Sequence, residues 1–178
     1  MAAFARLFND ERHASTPAEA SDPTEDTADN QEFDSSVPRY HDYQVSTPIC
    51  DAAQQFGCTA EYVFSEGLSR YPAPGLDGSY VRNQEIRELP AFGKTQFLVD
   101  RNNFKIRNVT LPGHLLHPGY VERQVITNGT RVFIRTHGVG TGRFGFLNTA
   151  AASVLWTSVD AQIARSLIGV YPKTIIVP

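Results

Sequence analysis

The chain is poor in several things that would narrow its class at once. It has one tryptophan, one methionine and two cysteines in 178 residues. No apolar run approaches the ~18–20 residues that a bilayer-spanning helix needs, so no membrane segment is expected. The opening Met1–Phe8 is too short for a secretory signal and soon turns acidic. A soluble protein is expected, or a piece of a longer secreted one. Cys50 and Cys58 have no second ligand pair at zinc-finger spacing. They could close a small loop or stay reduced and buried. There is no internal repeat. What remains is ordinary for a globular protein: 41% hydrophobic and 11% aromatic residues, enough for a core.

The formal net charge of −3 is unevenly spread. Residues 1–34 carry nine acids against Arg6 and Arg12, whereas segment 82–143 carries ten bases against Glu85, Glu88, Asp100 and Glu122, with three of the five histidines. A basic surface on a small domain is the footprint of a phosphate-bearing partner. Residues 9–38 hold almost no large apolar groups and cannot bury enough surface to offset the entropy of ordering. Residues 1–45 therefore read as a disordered acidic tail or linker, and residues 46–178 as a compact domain.

Within that domain the spacing predicts an α+β fold: an antiparallel β-sheet with a central hairpin, flanked by an N-terminal and a C-terminal helix. Thr59 is placed to cap a helix running to about Arg70, which Pro72 and Pro74 end. Residues 72–93 read as loop with one short strand. Strands are expected at 96–99 and 104–110, then a stiff connection, Leu111–Gly119, with two Pro-Gly pairs. Strands 120–127 and 130–137 flank Asn128-Gly129, the strongest short-range hairpin signal. A Gly-rich stretch, 138–145, leads to a helix capped by Asn148 and extending to about Ile168, with Leu155, Val159, Ile163 and Leu167 at four-residue spacing. Residues 175–177 are a candidate terminal strand. The Asn-X-Thr patterns at Asn108 and Asn128 are read as unglycosylated.

A loop at Asn128-Gly129 would set Thr127 against Thr130, Val125 against Val132, Arg123 against Ile134, Glu122 against Arg135, and Tyr120 against His137. Alternation then turns Val121, Val125, Val132 and Ile134 to the core. Tyr120, Glu122, Arg131, Phe133, Arg135 and His137 share the other face. A carboxylate, a guanidinium and an imidazole on one surface suit RNA cleavage through the 2′-hydroxyl, which needs a base, an acid and a cation for the phosphate. Glu122 or a histidine is the candidate base, His137 the candidate acid and Arg135 the phosphate fork. His114 and His117 are placed to swing over the same face. Arg123, Thr136, Thr141 and Arg143 are the candidates for holding the substrate. The same residues admit a plainer account, in which Glu122 and Arg135 form only a cross-strand ion pair and the histidines only pack in the turn. His114, His117 and His137 also have the composition of a catalytic zinc site, although the prolines place the pair on a loop. No metal and no cofactor is expected. Gly140-Thr141-Gly142-Arg143-Phe144-Gly145 matches the dinucleotide fingerprint, but after a hairpin strand rather than within a parallel sheet.

The segment 111–119, with Val121-Glu122-Arg123 and Gly138–Gly142, resembles the C-terminal toxin modules of bacterial polymorphic toxin systems, over roughly residues 46–168. The resemblance implies a secreted effector that acts in the cytoplasm of a target cell and is neutralised by a cognate immunity protein. Many modules of this kind are nucleases, including metal-independent ribonucleases with a helix packed on an antiparallel sheet as in the barnase, EndoU, colicin and RelE group, so the resemblance implies RNA or another phosphate-bearing substrate. The C-terminal helix departs from that simplest arrangement. Rival readings are an NAD- or nucleotide-targeting toxin using the Gly-rich loop and Arg143, and a non-enzymatic binding module with a basic face.

Overall fold

The computed structural model describes residue 33, residues 35–142 and the helix 145–168. Its frame is a six-stranded antiparallel sheet made of β1 (His41–Asp51), β2 (Glu85–Leu89), β3 (Gly93–Asp100), β4 (Lys105–Thr110), β5 (Gly119–Asn128) and β6 (Arg131–Gly140), in the spatial order β1-β6-β5-β4-β3-β2. The helix between β1 and β2, α1, begins as one α-helical turn (Ala60–Tyr62) and continues as π-helix (Val63–Leu68). The second helix, α2, is Gly145–Ile168. The fold class is therefore α+β, a sheet with one helix before most of its strands and one after all of them. Among the described residues no helix is long and apolar enough to cross a membrane.

Each element follows from local chemistry. The Thr59 hydroxyl accepts from the Tyr62 N–H at 3.1 Å and caps α1 as its spacing predicts. Along α2, Ala152, Trp156, Val159, Ile163 and Leu167 are buried, a stripe at the 3.6-residue period that lies on the sheet. That helix starts at Gly145, three residues before Asn148, so Asn148 is not its cap. Ordered structure also begins earlier than Ser46. In β1, His41 and Tyr43 are buried while Asp42, Gln44 and Ser46 are exposed, and the strand pairs with β6 along its whole length. The boundary at 45/46 is thus corrected to one that keeps His41–Val45 in the domain. Pro48 is tolerated because β1 is an edge strand, with a bulge between Pro48 and Cys50. Cys50 and Cys58 are bonded, tying the end of β1 to the start of α1. The remaining acidic segment, Arg143 and residues 175–177 lie outside the described residues.

The central hairpin turns one residue later than Asn128-Gly129. Asn128 still pairs with Arg131, so the loop is Gly129-Thr130, with Gly129 at φ +59°. Glycine at the first central position of a two-residue loop is the requirement of a II′ turn. Every cross-strand partner therefore moves by two: Val125 faces Ile134, Arg123 faces Thr136, Glu122 faces His137 and Tyr120 faces Val139. A shift of two leaves the faces unchanged.

The inner face packs in two clusters. One joins Phe97, Ile106, Val125, Val132 and Ile134 to α1 and to Ile163 and Leu167. The other joins Tyr43 to Ala152, Trp156 and Val159. Gly138 makes the second possible. A Cβ there would overlap the Tyr43 ring, whose hydroxyl accepts from Trp156 Nε1–H at 3.0 Å. Gly138→Ala is expected to push that ring aside and cost about 1–3 kcal/mol, as overpacking does. Because Trp156 is the only tryptophan, its emission reports the change directly. Unfolding and emission identical to the parent would refute this account of Gly138.

Candidate functional site

On the outer face, register builds three rows across neighbouring strands. Arg107, Glu122, His137 and Gln44 form the middle row. Lys105, Gln124, Arg135 and Ser46 form the row towards the hairpin loop, and Val109, Tyr120, Val139 and Asp42 the row on the other side. Glu122 sits at the centre. Its Oε2 lies 3.0 Å from Arg107 Nη2 and 3.2 Å from Lys105 Nζ. His137 Nε2 is 2.9 Å from Asp42 Oδ1, and the Tyr120 ring meets the imidazole edge-on with centroids 6.5 Å apart. The Arg107 guanidinium stands 4.8 Å from the Tyr120 ring centroid. Burial pushes the Tyr120 phenol up, against the opposing pull of Arg107. This surface holds a carboxylate, an imidazole with its own carboxylate partner, three cations and an aromatic ring.

Glu122, Arg135 and His137 thus share a face as the alternation predicts, but Arg135 does not oppose Glu122. It lies opposite Gln124 and donates from Nη2 to Gln124 Oε1 at 2.6 Å. Arg123 and Thr136 are corrected outright as substrate contacts of that face. Both are fully buried on the inner side. The Arg123 guanidinium pairs with Asp160 of α2, donates to Tyr71 O at 2.7 Å and to Thr136 Oγ1 at 3.2 Å, and lies 4.9 Å from the Trp156 ring. Burial pushes the Asp160 carboxyl up against the pull of Arg123.

His114 and His117 do not swing over the outer face. His114 is buried, stacked on Phe92 at 6.3 Å, and lines a pocket on the inner side. His117 Nδ1 is 2.9 Å from Thr110 O. Proline stiffening and burial hold this segment against the end of the sheet, so the three histidines never converge. Among the described residues no group of three or more His, Cys, Asp or Glu is arranged to hold a metal. Thr141 donates its N–H to Pro118 O at 3.0 Å. Gly138 and Gly140 belong to β6, and a Cβ at Gly140 would lie 2.7 Å from Pro118 O. These glycines serve close packing rather than an open phosphate loop. Asn108 is buried on the inner face, which also removes the first Asn-X-Thr pattern from the surface.

Sequence reasoning missed Asp42, Lys105 and Arg107. Asp42 lay in the stretch assigned to the tail. Lys105 and Arg107 were visible as alternating bases on β4, but which strand β4 would pair with was not.

Burial holds the His114 imidazole down at about 4, with the His117 charge adding to the effect. The unfolded value is near 6.5. Below about 4 both states bind the proton, and above about 6.5 neither does. Between the two only the unfolded chain binds it, so this contribution to stability is full above 6.5 and falls away as the pH drops to about 4. His114→Asn keeps an acceptor for the Leu116 N–H, which Nδ1 now receives at 3.1 Å. It is expected to flatten the stability–pH curve in that window. The same slope in parent and variant would show that His114 does not set it.

No family model and no curated protein matches the chain. Solved structures with a similar arrangement include norcoclaurine synthase from Thalictrum flavum in complex with dopamine and hydroxybenzaldehyde (15% identity, 77% of this chain and 90% of that chain covered, TM-score 0.41). Others are the major latex-like protein 151 from Panax ginseng (12% identity, 70% and 98% covered, TM-score 0.36) and Ara h 8.0201 (8% identity, 73% and 99% covered, TM-score 0.38). At such identities and scores this is a likeness in the arrangement of strands and helices alone, and nothing about the site is drawn from it.

Proposed function

We propose that the outer face of the sheet is the active surface of a metal-independent ribonuclease of toxin type. The observation that carries this reading is the middle row, in which Glu122 stands between Arg107 and His137 on adjacent strands. Side chains opposite each other across antiparallel strands have Cβ atoms roughly 4.5–5.5 Å apart, a span over which a carboxylate and an imidazole can flank one phosphodiester. Glu122 takes the proton of the 2′-hydroxyl, O2′ attacks phosphorus, and the P–O5′ bond breaks as His137 protonates the leaving oxygen. Asp42 orients the imidazole through Nε2, leaving Nδ1 for that transfer. Arg107, Lys105 and Arg135 carry the charge that gathers on the phosphoryl oxygens. The Tyr120 ring offers a base a stacking surface.

In this reading the chain is a secreted effector acting in the cytoplasm of a target cell, and a cognate immunity protein silences it by covering the basic face with acidic groups. The Cys50–Cys58 bond supports passage through an oxidising compartment, where disulfides persist. The direct test is incubation of the protein with a labelled RNA oligonucleotide in excess EDTA. Cleavage leaving 2′,3′-cyclic phosphate and 5′-hydroxyl ends is expected. RNA that stays intact, or cleavage that survives Glu122→Gln, would sink the proposal.

A further inference from the structure

The opposite side of the sheet carries a second feature that RNA cleavage does not use. Between the inner face and α2 lies a narrow pocket of about 40 Å³ that opens in part to solvent. Phe92, Val121 and Trp156 are among its apolar walls, and among the described residues no Asp, Glu, Lys or Arg lines it. Polar residues interrupt those walls, His41, Tyr43, Thr110 and Tyr120 among them, and three others define its chemistry. Thr95 and Asn108 are 1% and 4% exposed, and among the described residues Thr95 Oγ1 and Asn108 Oδ1 have no hydrogen-bond partner. The Asn108 amide nitrogen is already used, donating to Pro72 O at 2.7 Å, which fixes Oδ1 as the unmet acceptor. The third group is His114, whose Nδ1 accepts from the Leu116 N–H. A neutral imidazole that accepts at Nδ1 carries its proton on Nε2, so the ring presents a donor.

Buried polar atoms without partners are uncommon in native proteins, and each calls for an explanation. Here two of them belong to residues that line the same pocket, beside a ring of fixed tautomer. We propose that this pocket binds a compact, uncharged, largely apolar molecule bearing one hydroxyl or primary amide, which donates to Asn108 Oδ1 or Thr95 Oγ1 and accepts from His114. The absence of a charged lining residue argues for neutrality, because an ionised ligand would be buried without a counter-charge. The apolar walls accept an aromatic or branched aliphatic body. The site shares Tyr120 with the RNA reading at its rim, but Thr95, Asn108 and His114 take no part in that reading, so neither proposal depends on the other.

The test is titration of the folded protein with benzyl alcohol, benzamide, toluene and benzoate, followed by Trp156 emission and by ligand-observed NMR. Saturable binding of benzyl alcohol or benzamide is expected, with toluene and benzoate weaker by about tenfold or more, because a site built to hydrogen-bond rejects analogues that leave its groups unpaired. Thr95→Val and Asn108→Leu, each checked for a cooperative melt, should narrow the gap between benzyl alcohol and toluene. If neither variant folds, the selectivity of the parent protein still decides. No saturable binding by any probe would mean that the polar atoms are served by water alone, and would overturn the proposal. Toluene matching benzyl alcohol, or benzoate matching benzamide, would overturn it equally.

Discussion

Asp160→Ala is expected to cost the fold about 3–5 kcal/mol, the loss that follows when one partner of a buried ion pair is removed. Arg123 and Asp160 are both fully buried. The remaining Arg123 donors reach Tyr71 O and Thr136 Oγ1, neutral acceptors that cannot balance its charge. Without Asp160 the guanidinium is left uncompensated between β5 and α2. Urea unfolding monitored by Trp156 emission measures the effect well, because Arg123 lies against that indole. The companion variant separates charge from packing. Arg123→Met combined with Asp160→Leu removes both charges and keeps much of the volume, and it is expected to recover most of the loss, since well-packed apolar replacements of buried pairs are often neutral or stabilising. A single variant that loses less than about 1 kcal/mol would place the pair among the weak surface kind and refute this account of the core.

The second large effect is expected on rate rather than on stability. If the outer face cleaves RNA, Glu122→Gln and His137→Ala each remove a proton-transfer group and should lower the rate by about 10²–10⁴-fold. Asp42→Asn acts only through His137 and should lower it less, with the loss in kcat and little change in KM. Arg107→Ala removes a cation that touches both Glu122 and the Tyr120 ring, and should weaken binding as well as rate. None of the four should change stability by more than about 1 kcal/mol, because partly exposed cross-strand pairs contribute little. Rates and stabilities that fall together would mark the row as a structural ion-pair network, the plainer account of Glu122 and its cationic neighbours.

The legible parts of the chain were those with a short period. Val121, Val125, Val132 and Ile134 read as inward from alternation alone, and the structure places them there. The α2 stripe and the Thr59 cap were equally local. The strand β1 carries the same alternation, with His41, Tyr43 and Val45 inward and Asp42, Gln44 and Ser46 outward. It was hidden by an adjoining polar tail and by Pro48, which argues against a strand unless the strand lies at an edge.

The site was legible in part for the same reason. Period two puts Glu122, Arg135 and His137 on one face whatever the register, because a slip of two residues leaves the face unchanged. Which residue each meets is another matter. Glycine at 129 rather than asparagine at 128 takes the first central position of the turn, and that one-residue choice sets His137 instead of Arg135 against Glu122. Pairing of β1 with β6 brings Asp42 to His137 across 95 positions of chain, and pairing of β4 with β5 brings Lys105 and Arg107 to Glu122.

By itself, then, the sequence determined the sidedness of its strands, the neighbourhood of its turn and the stripe of its last helix, since each depends on residues a few positions apart. Only the tertiary structure decided that Arg123 meets Asp160, that His114 is buried away from His137, and that the buried Thr95 and Asn108 share a pocket. Those outcomes depend on which distant strands pair and on what α2 covers. The balance between burying a polar group and pairing it is struck across the whole fold, not within any one segment of the chain.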